Sequence, residues 1–161
     1  MIFNMHPLFL AFFSAAGPAA AQLLLDNPPF RSLGEIYPEI SRIHAAYMND
    51  PEIANYLSSA TNLTVFAATN DAFTQTYYTS LPLEDPALVH ASLQYTIVPG
   101  IYSSRMLNES APLFLPTTLT NPAYNGIPGG SVIEVLKSKQ DLLVRSGVYD
   151  TQKLVTPVSI P

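Results

Sequence analysis

Apolar and polar positions come in short blocks along this chain, and the sharpest change falls between Thr64 and Phe73. Thr64-Val65-Phe66-Ala67 is a β-branched and aromatic run, the make-up of a buried strand. Thr69-Asn70-Asp71 interrupts it. Asn and Thr side chains accept hydrogen bonds from free backbone N–H groups, so either can cap a helix. Asp71 falls where a helix dipole favours negative charge. Ala72 and Phe73 then resume an apolar face. The pattern predicts a strand, a capped turn and a helix.

Upstream, Leu23 to Ser32 carries a Pro-Pro pair and reads as an extended lead-in. Ser32 and Glu35 have the spacing of a capping box. Ile36, Ile40, Ile43 and Tyr47 follow at helical spacing, with Pro38 inside the first turns. Asp50-Pro51-Glu52 restarts a second helix, with Ile53, Tyr56 and Leu57 on one face. Downstream, the helix after Phe73 runs into Tyr77-Tyr78. Glu84-Asp85-Pro86 opens another, with acids in its first turn and Pro near its first position. Leu88, Ala91, Leu93 and Tyr95 are its apolar positions, and Tyr95-Thr96-Ile97-Val98 turns to strand before Pro99-Gly100 stops it.

The remainder is β-rich. Phe114 to Leu119 is a proline-interrupted strand suited to a sheet edge. Asn121 to Gly130 is rich in turn residues. Val132 to Val135 and Leu142 to Val144 are strands, with Lys139-Gln140-Asp141 as the hairpin turn between them. Ser146-Gly147 turns the chain again, and Leu154-Val155-Thr156 begins a last strand that Pro157 disrupts. The order of elements predicts an α+β fold in a single domain spanning residues 33–161.

Composition narrows the function. The chain has 161 residues, 48% hydrophobic and 12% charged, enough for a sizeable core. A net charge of -5 argues against a nucleic-acid partner, which needs a basic surface. Residues 1–21 have the layout of a secretory signal peptide. Leu8 to Ala16 is its short apolar core, Gly17-Pro18 breaks it, and Ala19-Ala20-Ala21 is the small-residue cleavage pattern. No other segment predicts a transmembrane helix in the mature chain. With 0 Cys, an exported domain is held by its core alone. Asn62-Leu63-Thr64 and Asn108-Glu109-Ser110 are glycosylation sequons, and Pro122 blocks a third at Asn121.

Three blocks in this order resemble the fasciclin adhesion domain. Thr64 to Phe73 is similar to its first signature, a strand followed by Thr-Asn-Asp-Ala-Phe, although Ala68 stands where the family usually has Pro. Leu93 to Tyr102 resembles its Tyr-His, apolar pair, Pro-Gly turn, with Thr96 in place of the His. Leu115-Pro116-Thr117, Gly129-Gly130, Val132 to Leu136 and Ser146-Gly147 are similar to fungal-type members. After Lys153 nothing resembles the family's closing strand, which predicts a C-terminally truncated member. The resemblance implies a β-sandwich or wedge with several helices packed on one side and the closing strand missing. It further implies a secreted, glycosylated, non-enzymatic domain for cell adhesion or organisation of the cell wall or extracellular matrix. Its partners would be cell-surface or matrix proteins or glycans, with no cofactor and no metal. Carried over residue by residue, its adhesion region is Tyr95, Thr96, Val98, Pro99 and Gly100; the sequons themselves make Asn62 and Asn108 the glycosylation candidates.

Two other classes are weighed against this one: a small secreted hydrolase and a carrier of an apolar ligand. His44 and His90 lie on separate predicted helices, where a lone His is usually a packed side chain. No Gly-x-Ser-x-Gly elbow, His-Glu-x-x-His or phosphate loop occurs. Asp71 invites a catalytic role, but its place after a capping Asn favours a structural one. Nine Tyr and no Trp supply rigid amphipathic area for an interface, with Tyr77-Tyr78, Tyr95 and Tyr102 as candidates.

Overall fold

The Thr64–Ala67 run becomes strand β2, Leu63–Ala68, and every one of its residues is buried. This computed structural model describes residues 10–15, 34–35, 37–60, 62–70, 85–102, 106, 111–138, 141–145 and 151–160. The rest of the leader, the lead-in to Ser32, Asp71 to Phe73, Tyr77-Tyr78, Asn108, Lys139-Gln140 and Ser146-Gly147 lie outside the described residues.

One edge of β2 pairs antiparallel with β3, Ile97–Pro99, in the register Leu63 to Pro99 and Val65 to Ile97. The other pairs antiparallel with β1, Leu10–Ala15, from Leu10 opposite Ala68 to Ser14 opposite Thr64. Three further strands are β4 (Leu113–Pro116), β5 (Val132–Ser138) and β6 (Asp141–Arg145), and the last is β7 (Thr151–Ile160). The sheet has seven strands in the order β3-β2-β1-β7-β6-β5-β4. β7 joins its halves: Thr151 to Lys153 pairs antiparallel with β6, and Leu154 to Ile160 pairs parallel with β1. The two terminal strands turn towards each other. The Thr118 N–H donates to Ile97 O at 2.8 Å, and Thr118 Oγ1 donates to Gln94 O at 2.8 Å.

Helix α1 is Ser41–Asn49, α2 is Pro51–Ser59 and α3 is Pro86–Tyr95. The predicted helix through Pro38 is divided. Pro38–Ile40 is a 3-10 turn and α1 starts after it. Proline has no N–H and clashes with the carbonyl four residues earlier, so an uninterrupted α-helix cannot run through that position. Asp50 and Asp85 cap α2 and α3, each Oδ1 accepting from two backbone N–H groups. Pro51 and Pro86 occupy the first turn, where a missing N–H costs nothing.

Ile40, Ile43 and Tyr47 meet Ile53, Leu57, Val65, Phe66, Val98, Leu115, Ile133 and Val135 in one core. Each such side chain contributes about 1.5–3 kcal/mol on burial. Tyr56, expected on the same face as Ile53 and Leu57, is 39% exposed. Its position lies at the rim of the apolar stripe, which needs only the other two.

Leu10–Ala15, within the stretch read as a leader, stands between β2 and β7 in the sheet. One expectation changes with the topology. Pro157 does not end the last strand, which runs on to Ile160. Beyond Lys153 the paired edge of β7 faces β1, so a residue without an N–H is accommodated where only one edge is in use.

Candidate functional site

The residues expected to form an adhesion surface divide between core and surface. Thr96 and Val98 are 4% and 0% exposed, and no partner could reach them. Thr96 Oγ1 donates to Leu93 O at 2.7 Å and lies 2.6 Å from the Tyr47 hydroxyl. Its single proton is spent on the carbonyl, so Tyr47 is the donor between the two hydroxyls. Burial pushes the Tyr47 phenol well above its ordinary value, and the hydrogen bond to Thr96 offsets this only in part. Tyr95 is half-buried, packs against the core and donates its hydroxyl to Val132 O at 3.3 Å, fastening α3 to β5.

Pro99 and Gly100 do reach the surface, and the structure gathers other residues around them. The Gly100 N–H donates to Asn62 O at 2.9 Å. Thr64 Oγ1 donates to Gly100 O at 2.9 Å and accepts from the Tyr102 N–H at 3.0 Å. One buried hydroxyl thereby fixes both sides of the turn. Gly100 has φ +107°, and a Cβ there would stand 2.9 Å from Cε2 of Tyr102. The position requires glycine for its backbone and for the tyrosine ring lying against it. Pro99 and Asn62 are exposed, and Gly100 and Tyr102 are half-exposed. The result is a small rigid surface of Pro99, Gly100, Tyr102 and Asn62.

Asn62 and Thr64 were legible as a sequon but not as partners of the turn. Nothing local joins them to Gly100, which is 36 residues after Thr64. Asn108, the second candidate glycosylation site, lies outside the described residues.

A separate cluster joins α2 to α3. His90 Nδ1 lies 2.7 Å from Asp50 Oδ2, and His90 Nε2 lies 3.8 Å from Glu52 Oε2. Burial would raise the Asp50 carboxyl, but the Ile53 N–H, then His90, then the Glu52 N–H outweigh it and hold it below the usual carboxylate range. A histidine oriented by a carboxylate is two parts of a nucleophilic triad. Here the outer nitrogen faces Glu52 instead of a hydroxyl. His44 packs elsewhere, its ring against Gly34. Among the described residues no group of three or more His, Asp or Glu is arranged to hold a metal ion, and no helix is long and apolar enough to cross a membrane.

Comparison with known proteins agrees in part with the sequence resemblance. No family model matches the chain, and no solved structure matches it. A fasciclin-like arabinogalactan protein of the fungus Arthroderma benhamiae is 22% identical over 125 residues, covering 74% of this chain. The match spans 30% of that relative's length. The α+β architecture is consistent with a fasciclin-like fold, and this distant similarity points to a fasciclin-like family.

Proposed function

We propose that the chain is a secreted, non-enzymatic fasciclin-like domain acting in cell adhesion or in organisation of the cell wall or extracellular matrix. The observation that carries the reading is the similarity to a fungal fasciclin-like arabinogalactan protein across 74% of the chain. The three ordered sequence blocks support it. The leader-like residues 1–21 support export, whose cleavage would take Leu10–Ala15 from the edge of β2, and the two sequons support a glycoprotein. The contact surface is the Pro99–Gly100 turn with Tyr102, a rigid place for an aromatic ring and a proline to meet a partner. Thr96 and Val98 serve that surface from beneath.

The test is retention of the purified protein on isolated cell-wall glycans and on immobilised matrix proteins. Pro99→Glu alters the exposed ring and leaves the Thr64 and Asn62 hydrogen bonds to Gly100 in place. It should weaken retention by about tenfold, the loss of one well-placed contact. Unchanged retention would remove the turn from the contact surface. Absence of retention on every such support would remove adhesion.

A second reading, a small secreted hydrolase, has the 2.7 Å contact between His90 and Asp50 in its favour. Turnover of esters, peptides or glycans that disappears in His90→Gln would establish it over the first.

A further inference from the structure

The geometry points to Asn62 as an N-glycan acceptor that can be used only before β2 and the Pro99–Gly100 turn come together, and whose glycan then covers that turn. The inference rests on the secreted reading, because the modification requires entry into the secretory pathway.

Two observations carry it. First, the sequon is divided by the fold. Asn62 is exposed, whereas Thr64 is 0% exposed and its hydroxyl is engaged with Gly100 O and the Tyr102 N–H. Sequon recognition needs the threonine as well as the asparagine. In the folded chain Leu63 and Thr64 are inside β2, so an enzyme could not reach around them. The acceptor is complete only while the chain is extended. Gly100 follows Thr64 by 36 residues. At ordinary synthesis rates of about 5–20 residues per second that leaves roughly 2–7 s.

Second, the acceptor adjoins the candidate contact surface. The Asn62 carbonyl holds the Gly100 N–H at 2.9 Å, and the next residue, Leu63, pairs with Pro99. A glycan is bulky and hydrated. Attached at Asn62, it stands beside the exposed Pro99 and the half-exposed Gly100 and Tyr102. In the transfer itself Asn62 Nδ2 loses a proton and bonds to the anomeric carbon of a lipid-linked oligosaccharide pyrophosphate. The bond from that carbon to the phosphate oxygen breaks, and the lipid pyrophosphate leaves with the electron pair. Occupancy of Asn62 would therefore set how much of the chain can use the turn, fixed once during synthesis.

The experiment uses the full chain behind a second, well-characterised export leader, so that entry into the pathway does not depend on residues 1–21. Enzymatic release of N-glycans in heavy-oxygen water marks each occupied asparagine by mass. Asn62 should be marked, and Asn62→Gln should lose that mark alone. The unmodified protein made in bacteria should be glycosylated by microsomes when added unfolded and not when added folded. Hydroxyl-radical labelling of Pro99 and Tyr102 should rise about twofold or more when the glycan is removed from the secreted protein. An unmarked Asn62, equal modification of the folded and unfolded chains, or equal labelling with and without the glycan would each overturn the inference. Failure of residues 1–21 to direct export would strike the secreted reading and leave these results standing.

Discussion

The hydroxyl of Tyr47 on α1 donates to Oγ1 of Thr96, 2.6 Å away and 49 residues later, with both side chains buried. Thr96 passes its own proton to the Leu93 carbonyl. This chain closes the end of α3 over α1. Tyr47→Phe removes one donor and leaves the Thr96–Leu93 bond intact, so it should cost about 1 kcal/mol in urea unfolding. Thr96→Val removes the acceptor of the buried Tyr47 hydroxyl and the hydroxyl bond to the Leu93 carbonyl, which keeps the Thr96 N–H at 3.0 Å, and should cost more, about 1–3 kcal/mol.

The same phenol makes the fold sensitive to alkali. Its pKa is raised by burial in the folded chain, so the stabilisation is whole below the unfolded value of about 10 and declines as pH rises beyond it. Wild type should lose stability above about pH 10. Tyr47→Phe should lose less over the same range, and the two titration curves should converge. Parallel curves would assign the alkaline loss to other groups.

At acid pH the corresponding group is Asp50. Its carboxyl is held below the ordinary carboxylate range. Its stabilisation is therefore present above about pH 4 and is lost as pH falls through the lowered folded value. Asp50→Ala removes the cap of α2 as well as the partner of His90 and should cost about 1–2 kcal/mol at neutral pH. Asp50→Asn keeps a capping oxygen and should recover much of that loss. It should also flatten the acid limb of the stability profile.

Asn70 gives a further prediction. With Thr69, it is one of two residues whose side chains suit a cap for the helix that follows β2. Its side chain instead serves α1, which has no side-chain cap of its own at Ile40. Asn70 Oδ1 accepts from the Arg42 N–H at 3.0 Å, and Nδ2 donates to Pro38 O at 2.7 Å and Ser41 Oγ at 3.0 Å. Asn70→Ala should cost about 1 kcal/mol or more. The Arg42 amide should exchange with solvent faster in this variant, while amides in α3 keep their protection.

The difference between what was legible and what was not follows sequence distance. The cores of β2, β5, β6 and α3, and the helix starts at Asp50-Pro51 and Asp85-Pro86, come from side-chain type and spacing within a few residues. So does the edge position of β4, from Pro116. The bonds from Asn70 to α1, from Thr64 to the Gly100 turn and from Tyr47 to Thr96 span 28 to 49 residues. No local preference encodes them. The division of the candidate site is of the same kind: the resemblance supplied Tyr95 to Gly100 as one stretch, and the junction of α3 with β3 buries Thr96, Ile97 and Val98 together.

Strand β1 offers a further prediction. Along β2 successive N–H groups face opposite neighbours. The Phe66 N–H goes to Thr96 O, on the β3 side. Those of Val65 and Ala67 therefore face β1. In a chain beginning at Gln22, the amides of Val65 and Ala67 should exchange faster and that of Phe66 should stay protected. Equal protection of all three in both chains would mean that another segment takes the place of Leu10–Ala15.

The approach of Thr118 to Ile97 has a consequence for how the protein behaves in company. Open strand edges are templates on which a second chain can grow, and this chain has no disulfide to keep its sheet shut. By giving its N–H to Ile97 O, Thr118 ties the segment after β4 to β3, the strand at the opposite end of the sheet order. One bond of about 3 Å is thus a guard against self-association at the point where both terminal strands would otherwise be open.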